Sequence, residues 1–453
     1  MLTFVDLFAG LGGFHKALGE LGHQCVFASE IEPRLQELYK ENWGITPAGD
    51  IREIVEERIN SIPKHDILCA GFPCQPFSKA GKHKGMMDIE RGTLFDEIVK
   101  IIKHHHPKYF ILENVPFIKN HNNKNTWDYI VKKLEAILAN GLRYEISHKE
   151  YSPHQFGIPQ HRRRIFIVGC LEGLNHFNFN EIDQLKTQVL DINQFIEQDY
   201  EHAKKIPERY KDCLSLWQDF LDNIPADVNI PGFPIWGMEF GATYTFDEVV
   251  PYHMKVGELA KQKGNFGASL KGLTKKEQLN LLPSYARTKK KFPSWKKNWI
   301  EQNRNFYNEN KKYVESVVRQ ISKLPSQSLQ KLEWNVGTAD RVITNYILQI
   351  RASGLRIKKA DCFPSLVVPS TQIPIIGWQG RYLTKEEGQK LQSLEGIKLP
   401  DNDNAAFKAL GNAVNSDIVK LIAERLIKEK KLNGVATQHP QLISNLQHQN
   451  ETA

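Results

Sequence analysis

Short apolar runs separated by amphipathic stretches of helix length fill the first 170 residues. Leu2–Val5, Cys25–Ala28, Ile67–Ala70, Tyr109–Leu112 and Ile165–Val168 are short and predominantly apolar, in stretches bounded by Gly, Pro, Asp or Asn. Runs of this kind predict strands buried on both faces. Between the first two, Phe14, Ala17, Leu18 and Leu21 fall on one helical face; Leu94, Ile98, Ile101 and Ile102 do the same ahead of Pro107 and the fourth strand. Alternation of strand and helix predicts an α/β fold, a doubly wound and mostly parallel sheet that binds ligands at the carboxyl ends of its strands.

The rhythm stops near Gly173. From there to about Gly377, short polar and aromatic pieces alternate with Pro and Gly, predicting a second, smaller, irregular domain. Ile418, Val419, Leu421, Ile422 and Leu426 then form an amphipathic helix that must return to the first sheet. The expected organisation is residues 1–174, 175–377, a returning segment 378–432, and a Gln-, Asn- and His-rich tail 433–453 of disordered composition.

Composition narrows the class. The chain of 453 residues is 41% apolar and 25% charged, as in soluble globular proteins, and no apolar stretch reaches membrane-spanning length. Asp6 follows the first apolar residues at once, which does not fit a signal peptide. Six scattered cysteines without a CxxC pair fit neither a zinc site nor a disulfide framework; a reducing compartment such as the cytoplasm is expected. His104-His105-His106 lacks acidic or cysteine partners at ligand spacing, so no metal site is expected. The net charge is +8, with Lys289–Lys291, Lys296-Lys297 and Lys311-Lys312 set among Tyr285, Phe292, Trp295 and Trp299. That cluster suits a polyanion, and equally a solvated amphipathic face.

Four segments carry chemistry. Phe4-Val5-Asp6-Leu7-Phe8-Ala9-Gly10-Leu11-Gly12-Gly13-Phe14 runs from a strand through a glycine-rich turn into a helix, a pattern shared by sites for nucleotides, flavins and adenosylmethionine. Glu30 closes the second strand, where a carboxylate can accept from ribose hydroxyls, and Asp50 follows the next helix; either residue is equally a cap or turn former. Gly71-Phe72-Pro73-Cys74-Gln75-Pro76-Phe77-Ser78 places a cysteine just past a strand, as a nucleophile should be, although an isolated cysteine is more often a small buried hydrophobe. Glu113-Asn114-Val115 puts a carboxyl at the same sheet edge. Gln155 to Arg164 ends in three arginines, either a solvated run or a clamp on phosphate and base.

In this order the segments resemble the cytosine-5 DNA methyltransferase family, over Phe4–Gly169 and again at Arg381–Gln392 and Gly411–Val414. The resemblance implies a Rossmann-like, S-adenosylmethionine-dependent fold with a target-recognition domain between about Asn175 and Gly377. It implies methyl transfer to carbon 5 of a cytosine rotated out of duplex DNA. Cys74 would attack carbon 6, Glu113 would serve ring nitrogen 3, Asn114 would hold the backbone and the exocyclic amino group, Arg164 would steady Glu113, and Arg162 would meet a phosphate. Cofactor contacts would come from Asp6, Phe8, Gly10, Leu11, Gly12, Gly13, Glu30, Ile31, Asp50, Ile51, Pro73, Leu94, Asn412 and Val414. DNA contacts would come from Gln75, Ser78, Lys79, Lys82 and Lys84. A monomer is expected, with a cognate restriction endonuclease as functional partner. Arg163, Glu386, Lys390 and Ala409 depart from residues common in the family. Two other readings are an RNA cytosine-5 methyltransferase and a catalytically silent DNA-binding relative.

Overall fold

The computed structural model describes residues 1–73, 94–121, 124–139, 141–366 and 372–427. The expected tail and the segment holding Cys74, Gln75, Ser78, Lys79, Lys82 and Lys84 lie outside these residues.

Four parallel strands, β1 (Thr3–Leu7), β2 (Gln24–Ser29), β3 (Ile67–Gly71) and β4 (Tyr109–Asn114), lie in the order β2-β1-β3-β4. Two further strands extend the sheet antiparallel: Arg164–Cys170 beside β4, then Glu145–Tyr151 at the edge. All five expected strands occur. The edge strand was not expected, because Glu-Ile-Ser-His-Lys-Glu-Tyr is polar, as befits a strand with an unpaired side.

Residue alternation along β1 splits the core into two layers. Phe4 packs with Phe14, Ala17 and Leu18 of helix α1 (Gly13–Glu20) and with Ile418, Val419 and Ile422 of the helix Ser416–Leu426. Val5 and Leu7 face the opposite layer, with Ile51 and Ile54 of α3 (Ile51–Arg58) and Phe95 and Ile98 of α4 (Leu94–His105). Helix α2 (Pro33–Trp43) follows β2. The chain winds from β1 to β2 on one side and to β3 on the other, so the winding reverses beside β1. That crevice is where open α/β sheets bind ligands.

The following region is more regular than its composition predicts. A second six-stranded sheet runs in the order Ile235–Trp236, Lys331–Asn335, Gly354–Lys358, Ile347–Arg351, Ile375–Ile376, Arg381–Tyr382; its last strand lies past Gly377. Leu332, Trp334, Leu355 and Ile357 share a core with the helices Glu208–Asn223 and Ser294–Ile321. The two regions are stitched by pairing of Phe363–Pro364 with Gln160–His161, and by Leu11, which is buried in the core of the second region. Among the described residues no helix is long and apolar enough to cross a membrane.

Candidate active site

A cavity of about 540 Å³ opens at the carboxyl ends of the parallel strands, a size usual for small-molecule sites. The glycine turn forms one wall. Gly10 and Gly12 have positive φ, +54° and +84°, and a side chain at residue 12 would collide with the Trp43 indole 2.2 Å away. At residue 13 a Cβ would stand 2.6 Å from both the carbonyl oxygen and Cγ1 of Val414, so the turn and the C-terminal segment approach as closely as glycine allows.

Glu30 stands at the end of β2 with its carboxylate held on both sides. Oε2 accepts from the Gly10 N–H and Oε1 from the Glu32 N–H, each at 2.9 Å. Both oxygens keep a lone pair for a ligand. Asp50 caps α3, accepting from the Arg52 N–H at 2.9 Å, and pairs with the Arg52 guanidinium at 3.0 Å. The capping role of Asp50 is therefore realised, at the pocket wall.

On the opposite wall, register pairing sets Glu113 beside Gly71, three residues before Cys74. The Glu113 carboxyl is buried and lies 2.8 Å from Arg164 Nε. Burial pushes it above the usual carboxylate range, against the pull of the Arg164 and Arg162 cations. Asn114 donates from Nδ2 to the Phe72 carbonyl at 2.9 Å and accepts the Val115 N–H at 2.8 Å. It thereby ties β4 to the segment that leads into Cys74.

Phe8, Gly10, Gly13, Glu30, Ile31, Asp50 and Ile51 line the cavity, as do Pro73, Leu94, Glu113, Asn114, Arg164, Asn412 and Val414. Four expected residues do not. Asp6 is fully buried beneath the turn, Leu11 points into the core of the second region, and Gly12 backs onto Trp43. Arg162 is 2% exposed and donates to the Ala413 carbonyl at 2.6 Å, so it is not presented to a phosphate. Sequence reading missed Ser29, Leu35, Arg52, Phe72 and Ala413 in the lining; adjacency to Glu30, Ile51, Pro73 and Asn412 was the available signal for all but Leu35.

Outside the cavity, Lys296 Nζ stands over the Phe292, Trp295 and Tyr285 rings at 5.5 to 5.8 Å, while Lys297 pairs with Asp247. His104 and His105 hydrogen-bond Asn60 Oδ1 and the Ile59 carbonyl.

A glycine turn, a carboxylate at the end of β2 and a winding reversal, all at the carboxyl ends of the strands, define a Rossmann-like domain with a cavity beside a buried carboxyl. More particularly, the chain belongs to the C-5 cytosine-specific DNA methylase family, which it matches over residues 2–428. It is 42% identical to the type II methyltransferase M.HhaI of Haemophilus parahaemolyticus, over 51% of this chain and 67% of that protein. To M.MspI of Moraxella it is 40% identical, over 43% of this chain and 44% of that protein. The chain thus spans about half the length of several relatives it matches. The likeness to M.BanI of Aneurinibacillus aneurinilyticus is lower, 30%, but extends over 94% of this chain and 96% of that protein. The fold is shared with a prophage-encoded protein assigned as a DNA modification methyltransferase (E. coli), at a TM-score of 0.51 and 15% identity over 94% of this chain and 99% of that one.

Proposed function

We propose that this chain moves a methyl group from S-adenosylmethionine to carbon 5 of a cytosine in duplex DNA, as the modification enzyme of a restriction–modification pair. Membership of the family supports the reaction, and the type II names of the relatives support the biological setting. The observation that carries the chemistry is the buried Glu113, which lines the cavity and is paired in register with Gly71, the residue three positions before Cys74 in sequence.

The cavity suits the methyl donor. Glu30 offers fixed acceptors for ribose hydroxyls, and the bare backbone of the turn lets a charged tail approach closely. When bound, the donor supplies an electrophilic methyl on a sulfonium. The residues of the chain make carbon 5 able to take it. The Cys74 thiolate forms a bond to carbon 6 of the extruded base, and Glu113 gives its proton to ring nitrogen 3, so that the electron pair arrives at carbon 5. Burial of Glu113 favours the protonated form this step requires. Arg164 orients the carboxyl, and Asn114 holds the main chain at Phe72. After transfer, carbon 5 loses its proton to water, the 5,6 double bond reforms as the Cys74 sulfur leaves as thiolate, and ring nitrogen 3 returns its proton to Glu113. Arg162 acts indirectly, by tying the Arg164 strand to Ala413 beneath the pocket. Gln75, Ser78, Lys79, Lys82 and Lys84 contact the DNA.

Duplex DNA carrying 5-fluorocytosine tests this directly, because fluorine cannot leave as the proton does. With S-adenosylmethionine, the wild type should form a denaturation-resistant adduct and Cys74→Ser should form none. Methylation of tRNA but not of duplex DNA, or an adduct that persists in Cys74→Ser, would overturn the reading.

A further inference from the structure

Behind the glycine turn runs a chain of polar contacts that the reaction does not use. Asp6 of β1 and Tyr39 of α2 are both fully buried. The Tyr39 hydroxyl donates to Asp6 Oδ2 at 3.2 Å, and its oxygen lies 2.8 Å from His15 Nδ1 on α1. With the hydroxyl proton committed to Asp6, Nδ1–H of His15 is the donor in the second bond. The His15 ring stacks on Trp43, with centroids 4.5 Å apart and planes 18° from parallel. The Trp43 indole N–H in turn donates to the Leu11 carbonyl at 3.2 Å, inside the turn. One path thus links β1, α2, α1 and the turn.

Burying these groups is costly unless each finds a partner, and apolar side chains would have filled the same space. What the path supplies is position. On their far side, His15 and Trp43 line a second cavity of about 450 Å³, so packed protein does not fully back the stack. Hydrogen bonds must then hold what packing does not. The turn also carries Glu30 with it, through the bond from the Gly10 N–H to Oε2.

We propose that Asp6, Tyr39 and His15 are positioning residues of the methyl-donor pocket. They fix the turn at residues 8–13 and, through it, Glu30, and so set affinity for the donor without touching it. The inference rests on the reading of this cavity as the S-adenosylmethionine site.

The test compares Tyr39→Phe, Asp6→Ala and Asp6→Asn with the wild type. The readouts are calorimetric Kd for S-adenosylmethionine, kcat and KM on duplex DNA, DNA affinity, and thermal midpoint. Tyr39→Phe should raise Kd and KM for the donor about tenfold, with kcat and DNA affinity moving less than twofold. Asp6→Ala should weaken donor binding at least as much. Asp6→Asn keeps an acceptor for Tyr39 and should recover most of that loss, since burial already disfavours the charged carboxylate. A Tyr39→Phe protein with a lowered thermal midpoint and a donor Kd within twofold of wild type would reduce the path to a structural one and overturn the proposal. So would Asp6→Asn binding the donor as poorly as Asp6→Ala. If Asp6→Ala does not fold, Tyr39→Phe decides alone. A wild type that binds no S-adenosylmethionine sinks the pocket assignment itself, a result distinct from unaltered binding in the variants.

Discussion

Adding one methyl group at Gly13 separates the packing of the turn from its conformation. Gly13 opens α1 with a backbone that any residue adopts, unlike Gly10 and Gly12, so Gly13→Ala introduces no backbone strain. Alanine is favoured over glycine within a helix by up to about 1 kcal/mol, and less in the first turn. Against that gain, the new Cβ would stand 2.6 Å from Val414 Cγ1 and 2.6 Å from the Val414 carbonyl oxygen, far inside the 3.4 Å at which ordinary contact begins. The Cγ1 atom can rotate aside. The carbonyl cannot, because Val414 stands two residues before the helix Ser416–Leu426, packed on α1 and the sheet. Overpacking of this kind costs about 1–3 kcal/mol, so the clash outweighs the propensity. Because Gly13 and Val414 both line the cavity, relaxation must also widen or shift it. Urea unfolding should show a net loss of about 1–2 kcal/mol, and calorimetry a donor affinity at least tenfold weaker. Val414→Ala combined with Gly13→Ala should not restore either quantity, since it removes Cγ1 and leaves the carbonyl. Full recovery in the double variant, or no loss in the single one, would refute the reasoning.

Glu113 should govern the alkaline side of the pH–rate profile. Its raised carboxyl keeps its proton at low pH and loses it as pH rises, so proton donation to the base falls with increasing pH. Glu113→Gln should lower kcat by about a hundredfold or more and flatten that limb; a limb unchanged in the variant assigns it to another group. Arg381 and Glu387 form a bidentate pair, each at most 1% exposed, in which Glu387 also accepts the N–H groups of Glu197 and Thr384. Glu387→Ala strands a buried cation and should cost about 3–5 kcal/mol in urea unfolding, where a loss below about 1 kcal/mol would show the pair to be dispensable.

The legible parts of this fold are those buried on two sides. β1, β3 and β4 read as apolar runs because both faces are covered, whereas Glu145–Tyr151, half solvated at the sheet edge, carries no such signature. The helix Ser294–Ile321 was obscured for a different reason. Its buried seam runs Ile300, Asn303, Tyr307, Asn310, Val314, Val317, Ile321, a regular alternation of three and four residues. Two asparagines interrupt the hydrophobic signal. One of them, Asn303, accepts the Trp236 N–H at 2.7 Å and donates to the Pro234 carbonyl, joining the helix to the second sheet. A polar residue in the seam thus marks a tertiary bond, which no local pattern reveals.

The same limit shapes the site. A motif names a segment, but a tight turn cannot aim every residue at one side. Phe8, Gly10 and Gly13 face the cavity, while Leu11 and Gly12 face protein. Arginine in a basic run reads as a phosphate contact, yet Arg162 finds its partner at Ala413, 251 residues along the chain. In each case the misread residue is one that binds the fold rather than the ligand, and together they point one way. Leu11 roots the turn in the core of the second region, and Arg162 anchors the Glu113 wall to the returning segment. The pocket is therefore clamped from both sides by chain remote in sequence. A shift of the second region relative to the first pulls on the glycine turn through Leu11 and on the cavity wall through Ala409 and Ala413, which share that core.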